Sequence, residues 1–278
     1  MSIWFITGAS RGFGRRMVQA ALAAGDSVIA TARRPEAVTE AFPDAGDGLF
    51  VHALDVADQA QAEAAVAAGV ERFGGVDVVI NNAGYGVFGA VEEVSDDEVR
   101  AIFDTNVFGL LNVTRAVLPT LRAQGSGRIV NIGSSAGISV GAGRGIYGAT
   151  KFAVEAVTEA LRAELAPLGI KVTVVEPGSF RTDFLAHGDQ RRPGTTIDAY
   201  AATVGTLQQA IDANDGLQPG DPAKAVAAIR ALAEADDPPV RLPLGSDSLA
   251  LLEQKASSLR QTVDAERSRA SATDYAST

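Results

Sequence analysis

The sequence predicts an α/β protein: one doubly wound domain with a parallel sheet covered by helices on both faces. Three observations lead there. Short β-rich runs alternate with Ala-rich stretches of helical pattern, the order expected of βαβ units. Runs such as VDVVI (76–80) and VTVV (172–175) suit strands buried on both sides. The chain of 278 residues contains no internal repeat and no linker, and it is long enough to bury a large core as a single unit spanning 1–278.

Each element carries its own signal. The first strand, 3–7, leads into ITGASRGFG (6–14) and a helix near 13–24. Gly8, Gly12 and Gly14 lack a Cβ, so backbone and phosphate can approach closely. The N–H groups of the helix that starts there point at an anion. The spacing G-x-x-x-G-x-G is not the common dinucleotide fingerprint G-x-G-x-x-G. The same letters also spell G-x-S-x-G around Ser10, the nucleophile elbow of serine hydrolases, which would need a histidine and an acid later in the chain. His187 could serve such a site, but glycines ahead of a helix are better explained by phosphate.

The second strand, 27–31, continues into VIATARR (28–34). An acid near this point would hold a ribose 2′-OH, whereas Arg33, with Arg34 beside it and Arg11 in the glycine loop, suits a 2′-phosphate. NADP(H) is therefore expected over NAD(H). The third strand, 49–53, ends at Asp55 and Val56, with a helix over 59–73. The fourth, 76–81, ends in NNAG (81–84), with a helical pattern over 96–123. The fifth, 127–132, ends in GSSAG (133–137), and a helix over 147–167 opens with YGATK. The sixth, 171–176, ends in EPGSFRT (176–182). An insertion, 183–220, breaks the rhythm; it carries a helical piece near 197–213 and reads as a substrate lid. A helix over 221–235 and a strand over 240–244 follow. Then comes an amphipathic stretch, LALLEQKASSL, and a polar tail, 266–278, expected to fray.

Several classes are disfavoured. A net charge of −10 argues against nucleic acid and anionic membrane surfaces. The absence of cysteine removes disulfide scaffolds, thiol nucleophiles and cysteine–zinc sites. With no leader-like N-terminus and no apolar run of about 18 residues, a cytoplasmic location is expected. No His, Asp or Glu cluster has ligand spacing, so no metal is expected.

The motifs converge on the carboxyl edge of the sheet, where open α/β sheets bind ligands. Taken together, T-G-x-x-x-G-x-G (7–14), N-N-A-G (81–84), the asparagine of TNVFG (105–109), the serine of NIGSS, Y-x-x-x-K (147–151) and P-G-x-x-x-T (177–182) resemble the short-chain dehydrogenase/reductase family across 3–245. The resemblance implies a Rossmann-like domain with seven parallel strands, a nicotinamide cofactor and a homodimer or homotetramer. It makes Tyr147 the acid/base and Lys151 the group that binds the nicotinamide ribose and lowers the tyrosine pKa. Ser134, with Ser135 as the less favoured neighbour, holds the substrate oxygen, and Asn106 positions a water in a proton relay. Cofactor contacts fall on Gly8, Ser10, Arg11, Gly12, Phe13, Gly14, Arg33, Asp55, Val56, Asn82, Ala83, Gly84, Tyr147, Lys151, Pro177, Gly178, Phe180 and Thr182. Phe13 and Gly133 stand where the family commonly carries an aliphatic residue and a serine.

The chemistry fits these residue types. Positions i and i+4 share a helix face, so Tyr147 and Lys151 can enter one cleft. Bringing a phenol from a pKa near 10 to about 7 corresponds to about 4 kcal/mol. One cation at about 4 Å in an effective dielectric of about 20 supplies that much. Gly148 and Ala149 are expected to leave room for the cofactor. The reaction this implies is reduction of a ketone or aldehyde to an alcohol, or the reverse. An NAD-linked secondary alcohol dehydrogenase and a non-catalytic nucleotide sensor are the alternatives. Val87, Phe88, Ile138, Val140, Phe180, Phe184 and Leu185 are expected to line an apolar substrate pocket. His187 is expected to be solvated and His52 has no role.

Overall fold

The computed structural model describes residues 1–185 and 190–275. In chain order the strands are β1 (Ile3–Thr7), β2 (Ser27–Ala32), β3 (Leu49–Ala53), β4 (Val78–Asn81), β5 (Gly86–Val87), β6 (Gly127–Ile132), β7 (Ile170–Pro177), β8 (Gln190–Arg191) and β9 (Arg241–Leu244). The α-helices are α1 (Gly12–Ala23), α2 (Glu36–Ala41), α3 (Gln59–Phe73), α4 (Asp96–Phe103), α5 (Gly109–Gln124), α6 (Gly145–Leu165), α7 (Thr206–Ala213), α8 (Pro222–Glu234) and α9 (Ser246–Ser271).

Seven strands form one parallel sheet in the order β3-β2-β1-β4-β6-β7-β9, and β5 pairs with β8 apart from it. The order reverses between β1 and β4, and that reversal opens a crevice at the carboxyl ends of the strands. One face of the sheet packs Ile6, Val28, Val78 and Val130 against Met17 and Val18 of α1 and Ile229 of α8. The other packs Phe5, Ile29, Val79 and Ile129 against Val66 of α3 and Val113 and Val117 of α5. Both faces are dry, which is why β1, β2 and β4 read as near-continuous apolar runs.

Local chemistry sets the helix ends. Asp58 accepts from the Gln61 N–H at the start of α3, and Ser95 and Glu98 form a reciprocal capping box on α4. A polar chain crosses the layers beneath the crevice. Asn81 donates to Thr114 and Asn131, at 3.1 and 2.9 Å, and Asn131 donates to Thr158 at 2.9 Å. These bonds tie β4 and β6 to α5 and α6, and so hold α6 at a defined height over the sheet.

Three differences from the sequence reading have local causes. The helical stretch expected over 96–123 is two helices joined by a wide π turn at Asp104–Phe108. Residues after 266, expected to fray, continue α9 through Ser271, where Arg–carboxylate pairs one turn apart line the helix. The insertion pairs through β8 with β5, a contact too short and too distant in sequence to show as a strand pattern. Among the described residues, no helix is long and apolar enough to cross a membrane.

Candidate active site

A cleft with a cavity of about 480 Å³ runs along the carboxyl edge of the sheet, from Arg33 and Arg34 at one end to Tyr147 and Lys151 at the other. Between them it passes the glycine loop. Gly8 has φ +64°, a left-handed conformation that side chains rarely adopt. Gly14 faces inward rather than into the cleft: a Cβ there would stand 2.2 Å from the Gly8 carbonyl oxygen. Its role is therefore close packing of α1 under the loop, and it does not line the site. Asn82 braces the same loop, donating from Nδ2 to the carbonyls of Thr7 and Gly8 at 2.9 and 3.2 Å.

The loop suits an anion on an observation internal to the chain. The Gly12 N–H at the start of α1 donates to the carboxylate Oδ2 of Asp183 at 3.3 Å. A negative oxygen thus already sits where a phosphate oxygen would. Arg33, Arg34 and Ala37 of the α2 entry line the cleft beyond it, with Leu54, Asp55 and Val56 on the facing wall. Asp55 accepts the Ala57 N–H at 3.1 Å, which fixes its carboxylate at the rim.

At the other end, α6 presents Tyr147 and Lys151 one turn apart, both facing the cleft and only 6% and 7% exposed. The Lys151 amine lies 5.8 Å from the centre of the Tyr147 ring. It donates to the Ile132 carbonyl at 2.8 Å, which anchors it to the end of β6. Ser134 follows directly; its Oγ accepts the Ala136 N–H at 3.1 Å, and its hydroxyl is near enough to favour the ionised Tyr147 phenol.

Burial dominates the proton affinities at this end. Burial pushes the Tyr147 hydroxyl up to about 12, opposed by the Ser134 hydrogen bond and the positive charge of Arg144. Burial brings Lys151 down to about 8, opposed by the Glu155 carboxylate. The cause is common to both: the wall that shields the phenol shields the ammonium, and that ammonium spends a proton on Ile132. Behind Lys151, the Glu155 carboxyl is raised, first by burial and then by Glu176, while Arg241, which bonds both acids, opposes the rise.

Asn106 braces this end of the cleft. It is buried in the π turn and does not line the cleft. Its Oδ1 accepts from the Tyr85 N–H at 3.1 Å, and its Nδ2 donates to the Tyr85 carbonyl and to Thr150, at 2.9 and 3.1 Å. The side-chain amide holds the 85 segment against α6.

The substrate end is walled by Phe88 and Phe184, whose rings lie 5.5 and 5.8 Å from that of Tyr147, and by Ile211 of α7. Val87 and Ile138 are buried behind this wall and do not reach the cleft. Val140 does not reach it either: it covers Gly148, where a Cβ would stand 2.1 Å from Val140 Cγ1. Gly148 therefore makes room for the 138–146 loop and not for a cofactor. The side chain of Leu185 and all of His187 lie outside the described residues. The segment around α7 is docked on the residues after β5. Glu93 accepts the Ile197 N–H at 2.8 Å, and Glu98 accepts the Gly194 N–H at 3.2 Å.

The remaining residues singled out by sequence do line the cleft: Gly8, Ser10, Arg11, Gly12, Phe13, Ala83, Gly84, Pro177, Gly178, Phe180 and Thr182. Sequence reasoning missed Tyr85, Arg144, Asp183, Arg191 and Ile211. Arg144 could have been found, since it precedes Tyr147 by three positions and so shares its helix face. His52 bonds only its neighbour, the Ala53 carbonyl, at 2.7 Å.

Fold and cleft together define a dinucleotide-type α/β protein with a tyrosine–lysine site. Comparison with known proteins gives its class. The family model described as short chain dehydrogenase matches residues 2–192, and the chain belongs to that family. Oxidoreductase BOA17 of Botryotinia fuckeliana is 42% identical over 248 residues, covering 89% of this chain and 90% of that protein. A short-chain dehydrogenase structure from Streptomyces avermitilis superposes with a TM-score of 0.90 at 42% identity, covering 99% of this chain and 100% of the other. A serine dehydrogenase complexed with NADP+ matches at TM-score 0.72 and 29% identity, covering 87% and 94%. A 3-ketoacyl-(acyl-carrier-protein) reductase from Brucella melitensis complexed with NADH matches at 0.75 and 28%, covering 89% and 98%.

Proposed function

We propose that the protein reduces a ketone or aldehyde to an alcohol, or oxidises the alcohol, using NADP(H) in preference to NAD(H). The observation that carries this reading is the placement of Tyr147 and Lys151, buried on one face of α6, in the same cleft as the glycine loop. The adenosine end would lie between Asp55 and Arg33, the phosphates at the Gly12 end of α1, and the nicotinamide ribose beside Lys151. A bound reduced nicotinamide supplies the hydride.

The chain's own residues do the rest. Tyr147 holds a proton at its hydroxyl and gives it to the carbonyl oxygen. Ser134 donates a hydrogen bond to that oxygen as negative charge develops there. Lys151, fixed by Ile132, adds positive charge beside the phenol. Asn106 acts at one remove, holding the Tyr85 segment and Thr150 in place. Phe88, Phe184 and Ile211 exclude water, which strengthens each of these interactions. Arg33 and Arg34 favour the 2′-phosphate through guanidinium forks. The exposed Phe108 and Phe152 are surfaces suited to a homo-oligomer.

The test is oxidation of NADPH and of NADH with a panel of ketones and aldehydes, followed by product identification. Turnover faster with NADPH supports the reading. A folded protein that binds the nucleotide but turns over no carbonyl compound and no alcohol contradicts it in favour of a sensor.

A further inference from the structure

We infer that Arg144 anchors an anionic group on the substrate, so that the preferred carbonyl compounds are oxo acids rather than neutral ketones. This rests on the carbonyl-reductase reading above and names its substrate class. Arg144 caps the start of α6, three residues before Tyr147, and lines the same cleft as Tyr147, Ser134 and Lys151. Its Nε is shielded from water and has no hydrogen-bond partner. Among the described residues, no carboxylate pairs with its guanidinium, although every other cation buried near this site has found one or has found a carbonyl: Lys151 has Ile132 and Arg241 has Glu155 and Glu176.

A guanidinium N–H closed off from water and left unpaired costs free energy, and proteins rarely tolerate one without a use. Arg144 lines the cleft, and its terminal nitrogens, unlike Nε, are not among the buried unpaired atoms. A carboxylate seated there would pair with the guanidinium; a neutral ketone would leave the charge without an anion. The charge is also close enough to the reacting centre to pull down the Tyr147 hydroxyl. A second cation stands on the cleft wall: Arg191 of β8, stacked on the Tyr85 ring at 4.1 Å. Two arginines on the cleft wall, in a chain of net charge −10, make the cleft locally positive. The apolar pocket expected from the sequence is thus apolar on one wall and cationic on another.

In the reaction this describes, a bound reduced nicotinamide would supply a hydride, one proton with two electrons, for the carbonyl carbon. Tyr147 passes a proton to the oxygen and is reprotonated from solvent. The carboxylate stays ionised and unchanged on Arg144.

The experiment compares 3-oxo acids of increasing length with their methyl esters, using NADPH, in the wild type, R144M and R144K. The wild type is expected to prefer acid over ester by kcat/KM. R144M is expected to lower the ratio of kcat/KM for the acid to that for its ester by about tenfold to a hundredfold, the range of one charge-assisted hydrogen-bonded pair, and to do so through KM for the acid; any fall shared by acid and ester is the part that acts through Tyr147. R144K is expected to recover part of the loss. Equal use of acid and ester by the wild type overturns the inference without any variant. So does an equal fall for acid and ester in R144M, which would make Arg144 only a tuner of Tyr147. If esters and neutral ketones are reduced and acids are not, the anion site fails while the carbonyl-reductase reading stands. If no carbonyl compound is reduced, both fail.

Discussion

The two ends of the cleft treat charge in opposite ways. At one end Arg33 and Arg34, just past the carboxyl end of β2, are exposed to water. At the other, Lys151 and Glu155 are buried, their proton affinities pulled toward one another, with Lys151 lowered to about 8 and Glu155 raised. Exposed cations can select a ligand by charge but cannot alter chemistry, because water screens them. Buried groups in a low dielectric can shift a proton, and they do so at a cost to stability. On the proposed reading the cleft divides its work: recognition at the wet end, proton transfer at the dry end.

That division can be broken at either end, and the dry end should break harder. Lys151→Met removes the only ammonium beside the Tyr147 ring among the described residues. It should lower turnover by about 10²–10³-fold, the range for loss of one preorganised electrostatic partner, with nucleotide affinity read separately by fluorescence titration. Turnover within a few-fold of wild type would place the chemistry elsewhere. At the wet end, Arg33→Asp should weaken NADPH binding by about tenfold to a hundredfold at low salt and leave NADH nearly unchanged. The gap should shrink as ionic strength rises; an affinity that ignores salt would mean that Arg33 is not on the phosphate.

The smallest effect concerns stability. Glu155 has its carboxyl raised above the ordinary glutamate value, to about 8. Its folded form therefore holds the proton more tightly than the unfolded chain. The stabilisation this brings is complete below about pH 4.5 and is lost as pH rises through the raised value. Glu155→Gln cannot titrate. The melting temperature of wild type minus that of the variant should therefore fall between pH 4.5 and 8, by roughly 3 °C for each kcal/mol involved. A difference that stays flat or rises would show that Arg241 holds Glu155 ionised.

How far the sequence could be read follows the same division. The glycine loop, NNAG and the proline–glycine turn after β7 are legible because a backbone that must approach a phosphate or turn sharply needs particular residues. Tyr147 and Lys151 are legible because helical spacing places them on one face. The interior of the dry end is not legible. That Lys151 bonds Ile132, or that Asn106 spends its amide on Tyr85 and Thr150, depends on contacts between segments far apart in the chain. Ile138 and Val140 lie in an irregular loop with no periodicity to say which way a side chain faces; one ended in the core and the other over Gly148. Arg144 was written in the same loop. Its meaning emerges only with the burial of its Nε and the missing partner.

The central claim is that the Tyr147 hydroxyl delivers the proton at the dry end. Tyr147→Phe deletes that oxygen and little else from a site where burial keeps the phenol protonated to about pH 12. Stopped-flow reduction of a carbonyl substrate by the preformed variant–NADPH complex tests it directly. The account predicts unchanged NADPH binding and a rate lower by about 10²-fold or more, the usual worth of a positioned acid. Tight NADPH binding together with a near-normal rate would contradict it.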